Sequence, residues 1–126
     1  MNQVIIGHQL EVISTNYLTE SIEKMGDNFA MKYFTTRERN TPNLGSTRNE
    51  YFAGRLAAKQ AVLKIIGAEN ISWTDIEVER LLTGEPAIIL YREAKFWERQ
   101  LGIIQWFVSI SHTSSYAAAS VLAVGG

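Results

Sequence analysis

The chain has 126 residues, of which 46% are hydrophobic and 20% are charged, and its formal net charge is −1. This length predicts one domain with a real core, and the composition excludes a disordered or low-complexity protein. The near-zero charge argues against a broad basic surface for nucleic acid. No cysteine is present, so disulfides and thiolate chemistry are excluded. We find no signal peptide and no membrane-length apolar run, and therefore expect a cytoplasmic protein.

The first third of the chain predicts a short strand and helical segments. Val4-Ile5-Ile6 is a β-branched run that predicts a buried strand ending at Gly7. Residues 10–25 carry apolar side chains close to helical spacing, with Ser14 or Thr15 as the cap and a glycine at the end.

Two further features precede the middle of the chain. Thr35-Thr36-Arg37-Glu38 has the spacing of a capping box, and residues 40–46 contain proline and glycine and predict a loop. The segment 48–66 then predicts one long helix that Gly67 ends.

The second half predicts strands and one short helix. Alternating and apolar runs, separated by turn residues, indicate strands at 76–81, 87–90, 106–112 and 116–124, with a turn at 83–86 and a helix at 92–101. The predicted fold class is therefore α+β with a mainly antiparallel sheet.

The long helix has two neighbouring arcs. One holds Phe52, Leu56 and Leu63, and the other holds Ala53, Ala57, Gln60 and Lys64. The alanines would let a backbone or a ligand come close to the two polar groups. The alternative is a core helix whose cationic side chains extend to water.

The histidines offer little chemistry by themselves. Ser111 and His112 are neighbours on a predicted strand, so they point to opposite faces and cannot form a catalytic dyad. No Gly-x-Ser-x-Gly elbow occurs, which argues against a hydrolase. With two histidines and no cysteine, a dedicated zinc site is not expected.

Several motifs together resemble one family. The run from Phe52 to Lys64, FAGRLAAKQAVLK, is similar to the signature helix of the holo-acyl-carrier-protein synthases, the small 4′-phosphopantetheinyl transferases. The other pieces follow in the family's order over essentially the whole chain: Ile6-Gly7, Phe34-Thr35-x-x-Glu38, Ile71-Ser72-Trp73-x-x-Ile76-Glu77-Val78, Gly84-x-Pro86 and Val108-Ser109-Ile110-Ser111-His112.

This resemblance implies a fold, an activity and partners. The implied fold is that of the 4′-phosphopantetheinyl transferases, with an antiparallel sheet packed on a long central helix. The implied reaction moves phosphopantetheine from coenzyme A to a serine of an acyl carrier protein, with Mg²⁺, in a homotrimer whose sites lie between subunits. Such a phosphoryl transfer uses a hard cation and basic side chains to offset phosphate charge.

The resemblance also implies residue roles. Lys64 corresponds to the phosphate-binding lysine. Further coenzyme A-binding positions are Arg55, Lys59, Gly84, Pro86, Ser109, Ser111 and His112. The two metal-ligand carboxylates of the family correspond to Gln9 and Gln60, so both positions carry amides here, and Gln9, Gln60 and Lys64 are the expected catalytic set.

The loss of both carboxylates weakens the main attraction for Mg²⁺. In the absence of ligand, we therefore expect a divalent ion to bind weakly or not at all. Glu11 is a substitute carboxylate to consider. Two other positions differ from the family pattern. Thr15 stands where the family has an arginine expected to contact the carrier protein, and Glu85 stands where the family has a basic residue.

Three hypotheses follow from these residues. The first is an active transferase with an altered metal site. The second is a trimer that binds coenzyme A or adenosine 3′,5′-bisphosphate without transferase activity. The third is a divergent enzyme acting on a related nucleotide.

Overall fold

The computed structural model describes residues 3–41 and 47–126, so part of the predicted loop at 40–46 lies outside the described residues. In chain order the elements are β1 (Val4–Ser14), α1 (Thr15–Met25), α2 (Asp27–Tyr33), α3 (Thr36–Asn40), α4 (Arg48–Ile66), β2 (Ile76–Arg80), β3 (Pro86–Leu90), α5 (Arg92–Gln100), β4 (Ile103–His112) and β5 (Tyr116–Gly125). A single 3₁₀ turn, Trp73–Asp75, precedes β2.

The strands form two antiparallel units, which confirms the predicted α+β class. β5 lies between β1 and β4 in a three-stranded sheet, and β2 pairs with β3 as a hairpin. One face of the sheet packs on α4. On this face the β4 side chains pack against the core that contains the alanines of the helix: Trp106, Val108 and Ile110. This is the predicted arrangement of a sheet on a long central helix.

The prediction of a helix from residue 10 is wrong for its first turn. Residues 10–14 continue β1, which pairs with β5 as far as Ser14. Leu10 and Val12 point outward with 61% and 59% exposure, whereas Glu11 is buried. That alternation has the period of a strand, and pairing with β5 stabilises it over the local helical spacing. The helix α1 then begins as predicted after Ser14, whose hydroxyl accepts from Tyr17 N.

The helix α4 is the centre of the fold. Thr47 caps its first turn and Gly67, in the left-handed conformation, ends it as predicted. The sheet comes close to this helix at two glycines: a Cβ on Gly54 would lie 2.7 Å from Ile110, and one on Gly7 would lie 2.8 Å from Ile65. A Cβ at either position would therefore force the facing isoleucine side chain to shift.

The predicted capping box of α3 is present in full. Glu38 N donates to Thr35 Oγ1 at 3.2 Å, and Thr35 N donates to Glu38 Oε1 at 2.9 Å. Among the described helices, none is both long and apolar enough to cross a membrane.

Candidate active site

The contact between β1 and α4 brings an acidic and a basic side chain together at the surface. Lys64 Nζ lies 2.6 Å from Glu11 Oε1. The side chain of Lys64 is 51% exposed, whereas that of Glu11 is 10% exposed. The ammonium group therefore lies at the rim of this contact and the carboxylate lies beneath it.

Gln9 and Gln60 lie on the same two elements, β1 and α4. Gly7 and Glu11 both face α4, so Gln9 between them faces α4 as well. Gln60 lies one helical turn before Lys64 and lines a cavity of about 200 Å³. The cavity is otherwise apolar and aromatic, lined by Ile13, Tyr17, Phe29, Tyr33, Leu56 and Trp73.

The donor set determines how a divalent cation can be held here. In residues 3–41 and 47–126, no three His, Cys, Asp or Glu side chains are grouped closely enough to hold a metal ion. Gln9 and Gln60 offer neutral amide oxygens, and Glu11 offers one carboxylate. Mg²⁺ in phosphate-transfer sites is held by one or two carboxylates together with substrate phosphates and water. The residues therefore fit an ion shared with a bound phosphate ligand, not one held by the protein alone.

Lys59 has a different environment from the one expected of a phosphate ligand. Its side chain has no exposed surface, and its Nζ lies 2.6 Å from Glu38 Oε1, which is equally buried. Burial lowers the pKa of Lys59, and the carboxylate of Glu38 opposes that shift. In this conformation Lys59 is a structural charge that ties α4 to the start of α3.

The buried pair extends into a hydrogen-bond network. Glu38 Oε2 accepts from Val78 N at 2.8 Å, which anchors β2. Thr35 Oγ1 donates to Glu77 Oε1 at 2.7 Å, and Tyr91 OH donates to Glu77 Oε2 at 2.9 Å. Sequence reasoning missed this network, because the burial of Lys59 depends on a partner in α3 that no local pattern identifies.

Arg55 is also largely inside the fold. It is 7% exposed, and its guanidinium carbon lies 4.1 Å from the centre of the Tyr51 ring. Burial is the main cause that lowers its pKa. Within the described residues its Nε has no hydrogen-bond partner. The contact with Tyr51 is a cation–π interaction.

The remaining predicted site residues on β4 are divided between the two faces of the sheet. His112 faces α4, with its Nδ1 3.4 Å from Glu50 Oε2. Ser109 and Ser111 are exposed, and Ser109 lines a shallow cavity of about 460 Å³ on the opposite face. The prediction that Ser111 and His112 cannot form a dyad is thus confirmed.

Gly84 and Pro86 lie in the turn of the β2–β3 hairpin. Gly84 has φ +93°, a left-handed value that favours glycine, and its amide donates to Leu81 O at 2.8 Å. Pro86 begins β3. In a single chain, then, Lys64 contacts Glu11 of β1, Gln9 faces the helix that also carries Gln60, and the hairpin and the outer serines lie on other surfaces.

The fold and this contact define the class: a small α+β domain whose central helix carries a half-exposed lysine beside a strand of the sheet. Residues 11–121 match the family model of the 4′-phosphopantetheinyl transferase superfamily. The chain belongs to this superfamily.

Individual relatives agree over nearly the full length. A holo-[acyl-carrier-protein] synthase of Solibacter usitatus is 31% identical over 122 residues, covering 94% of this chain and 98% of the relative. One of Halothermothrix orenii is 31% identical over 125 residues, covering 98% and 100%.

Solved structures show the same fold. The holo-ACP-synthase from Plasmodium yoelii superposes with a TM-score of 0.86 at 32% identity, covering 100% of this chain and 99% of that chain. A holo-(acyl-carrier-protein) synthase from Bacillus anthracis, in complex with CoA (3′,5′-ADP), gives 0.75 at 32% identity, covering 97% and 98%.

Proposed function

We propose that this protein transfers 4′-phosphopantetheine from coenzyme A to a serine of an acyl carrier protein. The observation that carries the proposal is Lys64, half-exposed at the β1–α4 contact in the helix whose sequence resembles that of the family. The relatives named as holo-acyl-carrier-protein synthases, and the structure of one with CoA (3′,5′-ADP), support it.

In this reaction a serine hydroxyl of the carrier protein loses its proton to solvent, and its oxygen forms a bond to the β-phosphorus of the pyrophosphate. The bond from that phosphorus to the bridging oxygen breaks, and adenosine 3′,5′-bisphosphate leaves. Lys64 binds the phosphates and offsets their charge by a charge-assisted hydrogen bond. A bound Mg²⁺ would neutralise further charge on the pyrophosphate. Gln60 and Gln9 can hold phosphate or water through their amides, but they add no charge.

A second candidate is a protein that binds coenzyme A or adenosine 3′,5′-bisphosphate without transferring the phosphopantetheine group. The amides at positions 9 and 60 favour this second candidate. They leave phosphate binding by Lys64 unaffected but remove two anionic metal ligands. The two candidates share the ligand and differ in the chemical step.

Transfer is tested by incubating the protein with coenzyme A, MgCl₂ and an apo acyl carrier protein and measuring the carrier by mass spectrometry. The proposal expects the mass increment of phosphopantetheine. A carrier of unchanged mass, with coenzyme A binding intact, would instead establish the binding protein.

A variant carrying Gln9→Asp and Gln60→Glu is the matched control, and we expect it to transfer faster than the parent by about 10-fold or more. If the variant is active where the parent is not, the two amides are the cause of the lost activity. A rate equal to that of the parent would show that these positions do not limit the reaction.

We also propose that the protein forms a homotrimer in the cytoplasm, as the resemblance implies. The face of the sheet turned away from α4 supports assembly, because it exposes a set of large apolar side chains: Ile5, Leu10, Val12, Ile104 and Phe107. An apolar patch of this kind on a small domain is typical of a protein interface. Sites between subunits would also explain why Ser109 and Ser111 lie apart from Lys64 in one chain.

The assembly is tested with Phe107→Glu, which places a charge on this face of the sheet. We expect its molar mass in light scattering to fall toward that of a single chain, because an unpaired charge is costly in an apolar interface. Met25→Glu, on the exposed part of α1, is the control and should keep the parent mass. A parent protein that is monomeric at micromolar concentration would contradict the proposal.

A further inference from the structure

We propose that Glu11 supplies the anionic oxygen for the divalent cation that accompanies coenzyme A, and that Lys64 leaves Glu11 for the phosphates when the ligand binds. This inference rests on the proposed function, since it needs a pyrophosphate ligand at Lys64. It gives a role to a carboxylate that lies beside Lys64, in a contact where positions 9 and 60 carry none.

The geometry of β1 supports this role. Glu11 is the inward-facing position next to Gln9, so the same face of the strand carries a carboxylate about 7 Å further along. The following inward residue, Ile13, lines the cavity that also contains Gln60. Glu11 itself contacts Lys64, one turn after Gln60. Along the strand, the carboxylate thus lies between Gln9 and the inward residue that lines the cavity of Gln60, and it contacts Lys64 directly.

The different exposure of Lys64 and Glu11 indicates which side chain an incoming ligand meets first. Lys64, with a side chain 51% exposed, is the first group that a ligand from solvent meets, and Glu11 lies beneath it at 10% exposure. A pyrophosphate that takes Lys64 leaves the carboxylate close to phosphate charge and without its cation. Repulsion between the Glu11 carboxylate and the phosphates, at a mostly buried position, would oppose ligand binding.

A divalent cation resolves this conflict because it binds carboxylate and phosphate oxygens together. Lys64 pairs with Oε1 of Glu11, and the carboxylate has a second oxygen, Oε2, for such an ion. In the ligand-free protein Lys64 already neutralises the charge of Glu11, so the carboxylate attracts a divalent cation only weakly. Metal binding and ligand binding are therefore linked through the exchange of Lys64 between two partners.

The test is calorimetric titration of coenzyme A into the full chain, with MgCl₂ and with a chelator. In the parent we expect MgCl₂ to tighten binding by about 10-fold. In Glu11→Gln we expect no tightening by MgCl₂. Metal-free binding by this variant should be about 3- to 10-fold tighter than in the parent, because Lys64 is no longer shared.

Two variants serve as controls. Glu20→Gln removes a charge from the exposed part of α1 and should keep the parent's response to MgCl₂. Glu11→Asp keeps the charge with a shorter reach, and should retain part of the MgCl₂ effect. Thermal unfolding of each variant, compared with the parent, shows that the fold is intact.

An undiminished MgCl₂ effect in Glu11→Gln would overturn the inference. So would equal losses of affinity with and without MgCl₂, which would make Glu11 only a support for Lys64. A parent that binds coenzyme A with no MgCl₂ effect also overturns it while leaving the proposed function standing. A parent that binds no coenzyme A under either condition would instead remove the proposed function.

Discussion

Replacing Lys59 by methionine is expected to lower the free energy of unfolding by about 3–5 kcal/mol, because it leaves Glu38 charged, buried and without its cation. The Nζ–Oε1 distance is 2.6 Å and neither side chain has exposed surface, so water cannot replace the lost partner. Urea denaturation followed by tryptophan fluorescence, at a fixed protein concentration, measures the effect.

Two variants make this result specific to the buried pair. Lys95→Met breaks a pair with Glu98 in which the lysine is half-exposed, and it should cost at most about 1 kcal/mol. Adding Glu38→Gln to Lys59→Met removes the buried charge, keeps an acceptor for Val78 N, and should restore part of the stability. A Lys59→Met protein within about 1 kcal/mol of the parent would show that the pair is not essential for the fold.

The second large effect concerns the candidate site. Lys64→Ala is expected to weaken coenzyme A binding by roughly 10- to 100-fold, because a charge-assisted hydrogen bond to phosphate is lost. The rate of phosphopantetheine transfer should fall by about 100-fold or more, since charge on the leaving bisphosphate loses its cation. Calorimetry and the mass-spectrometric transfer assay measure the two quantities separately.

The carboxylate of Glu11 has to be considered in the interpretation of this variant. Lys64→Ala leaves Glu11 facing the phosphates, so part of the loss comes from repulsion. Combining Lys64→Ala with Glu11→Gln completes a double-mutant cycle, and the pair should bind coenzyme A better than Lys64→Ala alone. Lys24→Ala, a lysine of α1, is the charge-matched control. Unchanged binding and transfer in Lys64→Ala would contradict the assigned role.

Local signals in the sequence predicted most elements of the fold. The helix α4, its stop at Gly67, the capping box at Thr35 and the β2–β3 hairpin all appear where turn and cap residues placed them. Two local predictions were wrong: Val4 and Ile5 are exposed and not buried, and residues 10–14 have apolar residues that fit both a helix and a strand. Only the pairing of β1 with β5 decides between them, and that pairing joins residues more than a hundred positions apart.

The candidate site was predicted in part. The polar arc of α4 identified Gln60 and Lys64 as neighbours, because helical spacing alone brings them one turn apart. The same helix also contains Lys59, and nothing local distinguishes a lysine that faces solvent from one that faces Glu38. That distinction depends on where α3 and β2 pack against the helix.

The sequence by itself determined the family, the central helix and the two amides where the resemblance implies carboxylates, since residue identity and local spacing carry those facts. The tertiary structure alone decided that Lys59 is buried against Glu38 and that Glu11 is the carboxylate beside Lys64. Both ion pairs join residues far apart in the chain, and their burial is created by packing between elements. No local pattern records that packing, so only the folded chain shows which charges are structural and which are available to a ligand.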